Sequence, residues 1–152
     1  MSRPTIFITG ATGFIGSQVV FQSLNAGYNL RLSVRKEAQI DKLKGLFSEH
    51  VAKLDFIVIP DLASPGVFDQ ALKGVEYVFH MASPMPGTGD DFKTTYVAPA
   101  VQGTTTLLDA AEKIATIKRV VIVSSVVSLV PMYNYMEGTF HAKGKSLPFF
   151  LF

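Results

Sequence analysis

The stretch Thr9-Gly10-Ala11-Thr12-Gly13-Phe14-Ile15-Gly16 constrains the fold of this chain more than any other. It follows a run of strand character, Thr5 to Thr9, and opens a segment of helical period from about Phe14 to Ala26. Gly10 suits a tight turn, Gly13 lets backbone come close to a ligand with no Cβ in the way, and Gly16 allows close packing of the helix on the sheet. A helix that starts at such a loop presents free N–H groups and the positive end of its dipole, which together attract phosphate. Spaced glycines alone would be a weak signal. Strand, loop and helix in that order point to a site for the diphosphate of a dinucleotide.

The rest of the sequence repeats the alternation of strand and helix that builds a parallel sheet. Ile15, Val19, Val20 and Leu24 form the expected buried stripe of the first helix, and Gly27 suits its C-terminal end. A second strand is expected over about Asn29 to Arg35 and a short polar helix over Glu37 to Phe47. The third strand, about Leu54 to Ile59, is apolar after Asp55 and reads as covered on both faces. The fourth is Val75 to His80. A long helix, Thr94 to Ile114, carries Val101, Thr104, Leu108, Ala111 and Ala115 along one side, and a fifth strand spans Arg119 to Val126. Right-handed crossovers then give the sheet order 3-2-1-4-5. After about Pro131 the periodicity fails, which divides the chain into a domain over 1–130 and an irregular tail over 131–152 ending in Pro148-Phe149-Phe150-Leu151-Phe152.

Composition removes several classes of function. The net charge of +2 and the scatter of 14 basic residues lack the concentrated stripe of a nucleic-acid binder. There is no cysteine, so disulfides and thiolate metal sites are excluded, and no metal is expected. The longest apolar stretch, Val120 to Met132, is broken by Ser124, Ser125 and Ser128 and is short of a membrane span. The opening residues do not resemble a signal peptide. The reading is a soluble, cytoplasmic protein.

The octapeptide TGATGFIG resembles the TGxxGxxG fingerprint of extended short-chain dehydrogenases, the epimerase/dehydratase superfamily. Arg35 ending Ser33-Val34-Arg35, then Asp61-Leu62, then Phe79-His80-Met81-Ala82-Ser83-Pro84, then Val123-Ser124-Ser125, resemble one branch of it. That branch contains dihydroflavonol reductases, cinnamoyl-CoA reductases and fungal aldehyde and ketone reductases. The resemblance covers residues 4 to about 130 and implies a doubly wound α/β sheet of the Rossmann type. The residues expected to touch the cofactor are Gly10, Thr12, Gly13, Phe14, Ile15 and Gly16 in the loop, with Arg35, Lys42, Asp61, Leu62, Met81, Ala82 and Ser83 beyond it. An arginine after the second strand suits the 2′-phosphate of NADP, where an acidic residue would select NAD. Arg35 with Lys42 therefore favours NADP(H) over NAD. Asp61 would accept from the adenine amine, the Leu62 N–H would donate to the ring, and backbone of Met81 to Ser83 would line the nicotinamide ribose. His80, with no acidic or metal-ligating companion, reads as a satisfied strand-end histidine.

Members of the family act with a Ser–Tyr–Lys set, and Ser125 matches the serine at the end of the fifth strand. Ser124 would point the other way, because strand side chains alternate. Counting four residues on from the five tyrosines gives Leu32, Met81, Ala100, Glu137 and Thr139, so no Tyr-x-x-x-Lys is present. The tail reads as a truncation, a shifted frame or a genuine short end. The sheet would then be incomplete on its C-terminal side, leaving apolar residues from Val121 to Val127 partly uncovered and prone to self-association. Three functions stay open: a part of an NADP(H)-dependent oxidoreductase acting on a small carbonyl, a non-catalytic NADP sensor, and a sugar-nucleotide epimerase or dehydratase relative, which Arg35 disfavours.

Overall fold

The computed structural model describes residues 3–84 and 91–125, together with Met136 and Gly138. The expected irregular tail over 131–152, with the terminal phenylalanines, otherwise lies outside the described residues. The chain divides into two compact units, Met1–Ile122 and Val123–Phe152. Every regular element below belongs to the first.

Five parallel strands form one sheet: β1 (Thr5–Thr9), β2 (Asn29–Val34), β3 (Leu54–Val58), β4 (Tyr77–His80) and β5 (Arg119–Ile122), in the order β3-β2-β1-β4-β5. The crossovers carry α1 (Phe14–Asn25), α2 (Ala38–Leu46), the short α3 (Phe68–Ala71) and α4 (Ala98–Glu112). The order is the one expected from the sequence. A 3-10 turn at Ser48–Lys53, α3, and a π-helical turn at Lys93–Val97 that leads into α4 were not foreseen. Register places Ile8 opposite Leu32 and Phe79, so the centre of β1 is flanked on both sides by apolar strands.

Alternation along β1 sends its side chains to two separate cores. Ile6 and Ile8 join Val20, Leu24, Leu30, Leu32 and Leu43 under α1 and α2. Phe7 joins Phe68, Leu72, Val78 and Leu107 on the opposite face, under α3 and α4. The rings of Phe7 and Phe68 meet edge to face at 6.0 Å. One guanidinium ties the β2–β3 edge to the second core: Arg31 donates from Nε to Asp55 at 2.6 Å and from Nη1 to the carbonyls of Ala71 at 2.9 Å and Lys73 at 2.8 Å. It therefore satisfies carbonyls at the C-terminal end of α3 that the helix leaves open.

Gly27 ends α1 as expected, with φ of +88°. The Gly27 N–H donates to Leu24 at 2.9 Å and the Tyr28 N–H to Ser23 at 3.1 Å, the paired bonds of a Schellman end.

Four packing expectations are corrected. On α1 the buried residues are Gly16, Val20, Ser23 and Leu24, and Ile15 is 56% exposed. The first turn of the helix packs through a glycine, and the bulkier neighbour is left outside. On α4 the buried stripe is Gly103, Leu107, Ala110 and Ala111, whereas Val101 is 57% exposed. Small residues let that helix approach closely, and the expected phase was off by one position. β3 lies at the sheet edge with Asp55 and Val58 exposed and its other residues half-buried, so its apolar run does not mean cover on both faces. The fifth strand stops at Ile122, not Val126.

Candidate functional site

The loop between β1 and α1 is shaped by contacts a Cβ would break. Gly10 has φ of +76°, and a Cβ there would stand 2.8 Å from the Ala82 nitrogen and 2.9 Å from the Met81 carbonyl carbon. Glycine is required twice at this point, for the left-handed turn and for contact with the chain after β4. The Gly13 N–H donates to the Gly10 carbonyl at 3.0 Å, and the Gly13 carbonyl accepts the Ser17 N–H at 2.9 Å as α1 begins. A Cβ on Gly16 would run into the Gly10 carbonyl oxygen. The third glycine therefore packs the first helical turn against the loop itself, where the sequence pointed to the sheet. No side chain caps α1. Phe14, Ile15 and Gly16 lie in the turn whose amides a helix leaves without internal acceptors, and the Phe14 side chain is 95% exposed. Thr12 is also exposed. The helix end thus faces open space with its donors forward.

The buried Thr9 hydroxyl holds this loop to the end of β4. Its oxygen accepts the N–H groups of Met81 and Ala82, both at 3.2 Å. With both lone pairs engaged, its hydrogen donates to His80 Nδ1 at 2.8 Å. His80 then carries its proton on Nε2, which donates to Thr104 Oγ1 at 3.3 Å. Burial holds the His80 pKa below the usual histidine value, and Nδ1, already an acceptor, has no place for a second proton. His80 is thus a neutral core residue. The Met81 and Ala82 amides are already engaged, so those two residues have carbonyls and surface, not N–H groups, to offer a ligand. The Met81 side chain packs into the core under α1.

Beyond the carboxyl ends of the strands lies a cleft of about 200 Å³. Arg35, Asp61, Leu62, Ala82 and Ser83 line it, so five residues predicted from separate parts of the sequence share one wall. Pro99, Ala100 and Gly103 at the start of α4 also line it and were missed. Gly103 gave a signal: a Cβ there would lie 3.6 Å from the Leu62 Cβ, and a lone glycine inside a helix marks such an approach. Asp61 accepts the Ala63 N–H on Oδ1 at 3.0 Å and the Ser64 hydroxyl on Oδ2 at 2.8 Å. These two bonds, the backbone one first, hold its carboxyl below the ordinary carboxylate range. Each oxygen keeps a second lone pair, so the turn and a ligand amine are compatible.

Arg35 follows β2 and is exposed. Its N–H donates to Gln39 Oε1 at 2.8 Å, and the Lys36 N–H donates to the same oxygen at 3.2 Å. Gln39 was also missed: it is the second residue of α2, and its side chain reaches back to two amides that precede the helix, much as a glutamine does in a capping box. Lys42 is exposed on α2 and does not line the cleft. Ser125 lies three residues past the last strand residue and belongs to the unit that begins at Val123, so its expected place at the end of a longer strand is corrected. Among the described residues no group of three potential metal ligands comes together, and no helix is long and apolar enough to cross a membrane.

The pattern of this loop and cleft is that of a known group of proteins. Residues 6–142 match the model of the NAD dependent epimerase/dehydratase family. The chain belongs to that family. A ketoreductase, sphI of Aspergillus fumigatus, is 42% identical over 138 residues, covering 91% of this chain and 40% of its own length. Dihydroflavonol 4-reductase of Hordeum vulgare is 36% identical over 125 residues, covering 82% of this chain and 35% of its own. Among solved structures, Gre2 of Candida albicans in complex with NADPH superposes with a TM-score of 0.77 at 33% identity, over 83% of this chain and 38% of that one. The chain thus spans about 40% of the length of the reductases it matches, and the branch expected from the sequence is found among them.

Proposed function

We propose that this epimerase/dehydratase chain binds NADP(H) and forms the cofactor-binding part of an oxidoreductase acting on a small carbonyl compound. The observation that carries the reading is the uncapped start of α1 behind Gly10, Gly13 and Gly16, beside a cleft whose wall holds both Arg35 and Asp61. A dinucleotide needs these features together: amides for the diphosphate, an acceptor for the adenine amine, and a cation for a ribose phosphate. The reductases of similar sequence, and the NADPH complex of Gre2, support it.

The diphosphate rests on the N–H groups of Phe14 to Gly16, with Thr12 beside it. Asp61 and Leu62 take the adenine. Arg35 grips the 2′-phosphate through its planar guanidinium, and Lys42 adds charge from α2. Ala82 and Ser83 border the ribose nearer the nicotinamide. The bound cofactor supplies a hydride to the carbonyl carbon. Ser125 holds the substrate oxygen, the cofactor part spans residues 1–130, and the protein works in the cytoplasm.

Calorimetric titration with NADPH and NADH side by side tests the proposal. NADPH is expected to bind at least tenfold more tightly, a difference of about 1.4 kcal/mol, and Arg35→Ala should abolish the gap. Equal binding of the two coenzymes would remove Arg35 from this role. A folded sample that takes neither would end the proposal. A panel of carbonyl substrates with NADPH then separates reductase from binder.

A further inference from the structure

Resting on the reading of Arg35 as the 2′-phosphate ligand, we propose that Gln39 is a specificity-determining residue, whose uncharged oxygen lets the end of β2 accept NADP in preference to NAD. Gln39 Oε1 takes the N–H groups of two consecutive residues, Arg35 at 2.8 Å and Lys36 at 3.2 Å. It fixes the backbone from which the Arg35 side chain enters the cleft wall.

The chemistry of that position makes the neutral amide informative. A glutamate could make the same two bonds and would make them stronger, because a carboxylate is the better acceptor. It would also complement the positive end of α2. Local structure alone therefore favours glutamate. A carboxylate here, however, would sit within hydrogen-bond reach of the Arg35 amide, lower the local potential and offer the guanidinium a competing partner. Both effects oppose a phosphate dianion, whereas a ribose hydroxyl is indifferent to the first and has less use for the arginine. Glu37 and Asp41 also lie near the start of α2 and are exposed to solvent. Neither accepts the Arg35 or Lys36 amide in place of Gln39. Where local structure favours one residue and the chain carries its neutral isostere, a functional demand is the natural cause.

The test compares Gln39→Glu, Gln39→Met and Gln39→Lys in the full chain, read by NADPH and NADH dissociation constants, with a thermal melt as control. Gln39→Glu keeps the bonds and should melt at or above the parent temperature, yet weaken NADPH on the order of tenfold while leaving NADH within about twofold, the scale of one close like charge at an open site. That loss should shrink as salt is raised. Gln39→Met, neutral but without an acceptor, should lower the melt and change the NADPH-to-NADH ratio much less than Gln39→Glu. Gln39→Lys should hold or raise the ratio. A ratio unchanged in Gln39→Glu, or equally damaged in Gln39→Met, overturns the inference. Arg35→Ala keeps the two questions apart. If it loses the NADPH preference while Gln39→Glu does not, only the Gln39 assignment fails. If neither changes it, the reading of Arg35 fails as well.

Discussion

The two flanks of the sheet are built to different standards. Around β1 and β2 every element has a partner: Phe7 is fully buried, and Ile8, Leu30 and Leu32 are closed over by α1 and α2. At β5 only Val120 is partly covered, and Ile122 on the same face is 43% exposed. Val120 packs toward Phe7, Phe68 and Leu107, while Val121, pointing the other way, is 40% exposed. It borders a groove of about 850 Å³ shared with Val19, Tyr28, Tyr77 and Phe79. A parallel strand is normally covered on both faces. The difference shows that the cofactor half of the sheet is closed by its own helices, whereas among the described residues the β5 flank is left open.

The sharpest way to break that contrast is to remove matched apolar groups from the two flanks. Phe7→Ala should destabilise by about 3–5 kcal/mol, since it empties a site with no room to collapse. Urea unfolding reads this directly, and a loss near 1 kcal/mol would mean the centre is no better packed than the edge. Next in size is Arg31→Met, which removes the pair with Asp55 and leaves the carbonyls of Ala71 and Lys73 short of donors. A loss of about 1–3 kcal/mol is expected, against under about 1 kcal/mol for Asp55→Asn, whose partner keeps two other bonds.

The His80 pair of bonds predicts a smaller, pH-dependent effect. Its folded pKa lies below the unfolded value of 6.5. The unfolded chain therefore binds more protons between the two values, and stability rises with pH there. This contribution is complete above about pH 6.5 and is lost as pH falls through that value toward the folded one. Unfolding curves from pH 7.5 to 5 should lose stability in the parent, and His80→Gln, weaker at neutral pH, should show a flatter slope. An identical slope in both would place the titration elsewhere. The smallest effect belongs to the open flank: Val121→Ala should change stability by under about 1 kcal/mol. Val121→Lys should lower the binding of an apolar dye, and unchanged dye binding would mean the groove is closed in solution.

Much of this was readable beforehand because it depends on local rules. A strand, a glycine turn and a helix declare themselves within about twenty residues, and crossover handedness then orders the sheet. Arg35 and Asp61 were found because each stands just past a strand, where ligands gather. What failed depended on partners far away in sequence. Val101 and Leu108 looked like the buried side of α4 together with Ala111; Ala111 is buried, but Gly103, Leu107 and Ala110 pack beside it, because close approach at Gly103 and Ala110 selects small residues that carry little hydrophobic signal and so shifts the phase. Ile15 was misplaced for a similar reason, beside a glycine whose neighbour is the Gly10 carbonyl. The engagement of the Met81 and Ala82 amides by Thr9 bridges more than seventy positions, and no periodicity in either segment announces it.

That clasp has a consequence for how a ligand arrives. With Gly10 lying against the Met81–Ala82 backbone and one hydroxyl bridging the two strand ends, the glycine turn and the chain after β4 form a single piece, assembled before anything lands on it. A coenzyme settling there has little main chain left to order on this side, so little of its contact energy goes into freezing the loop. Association should then be limited by diffusion and orientation, not by a slow rearrangement of the glycine turn.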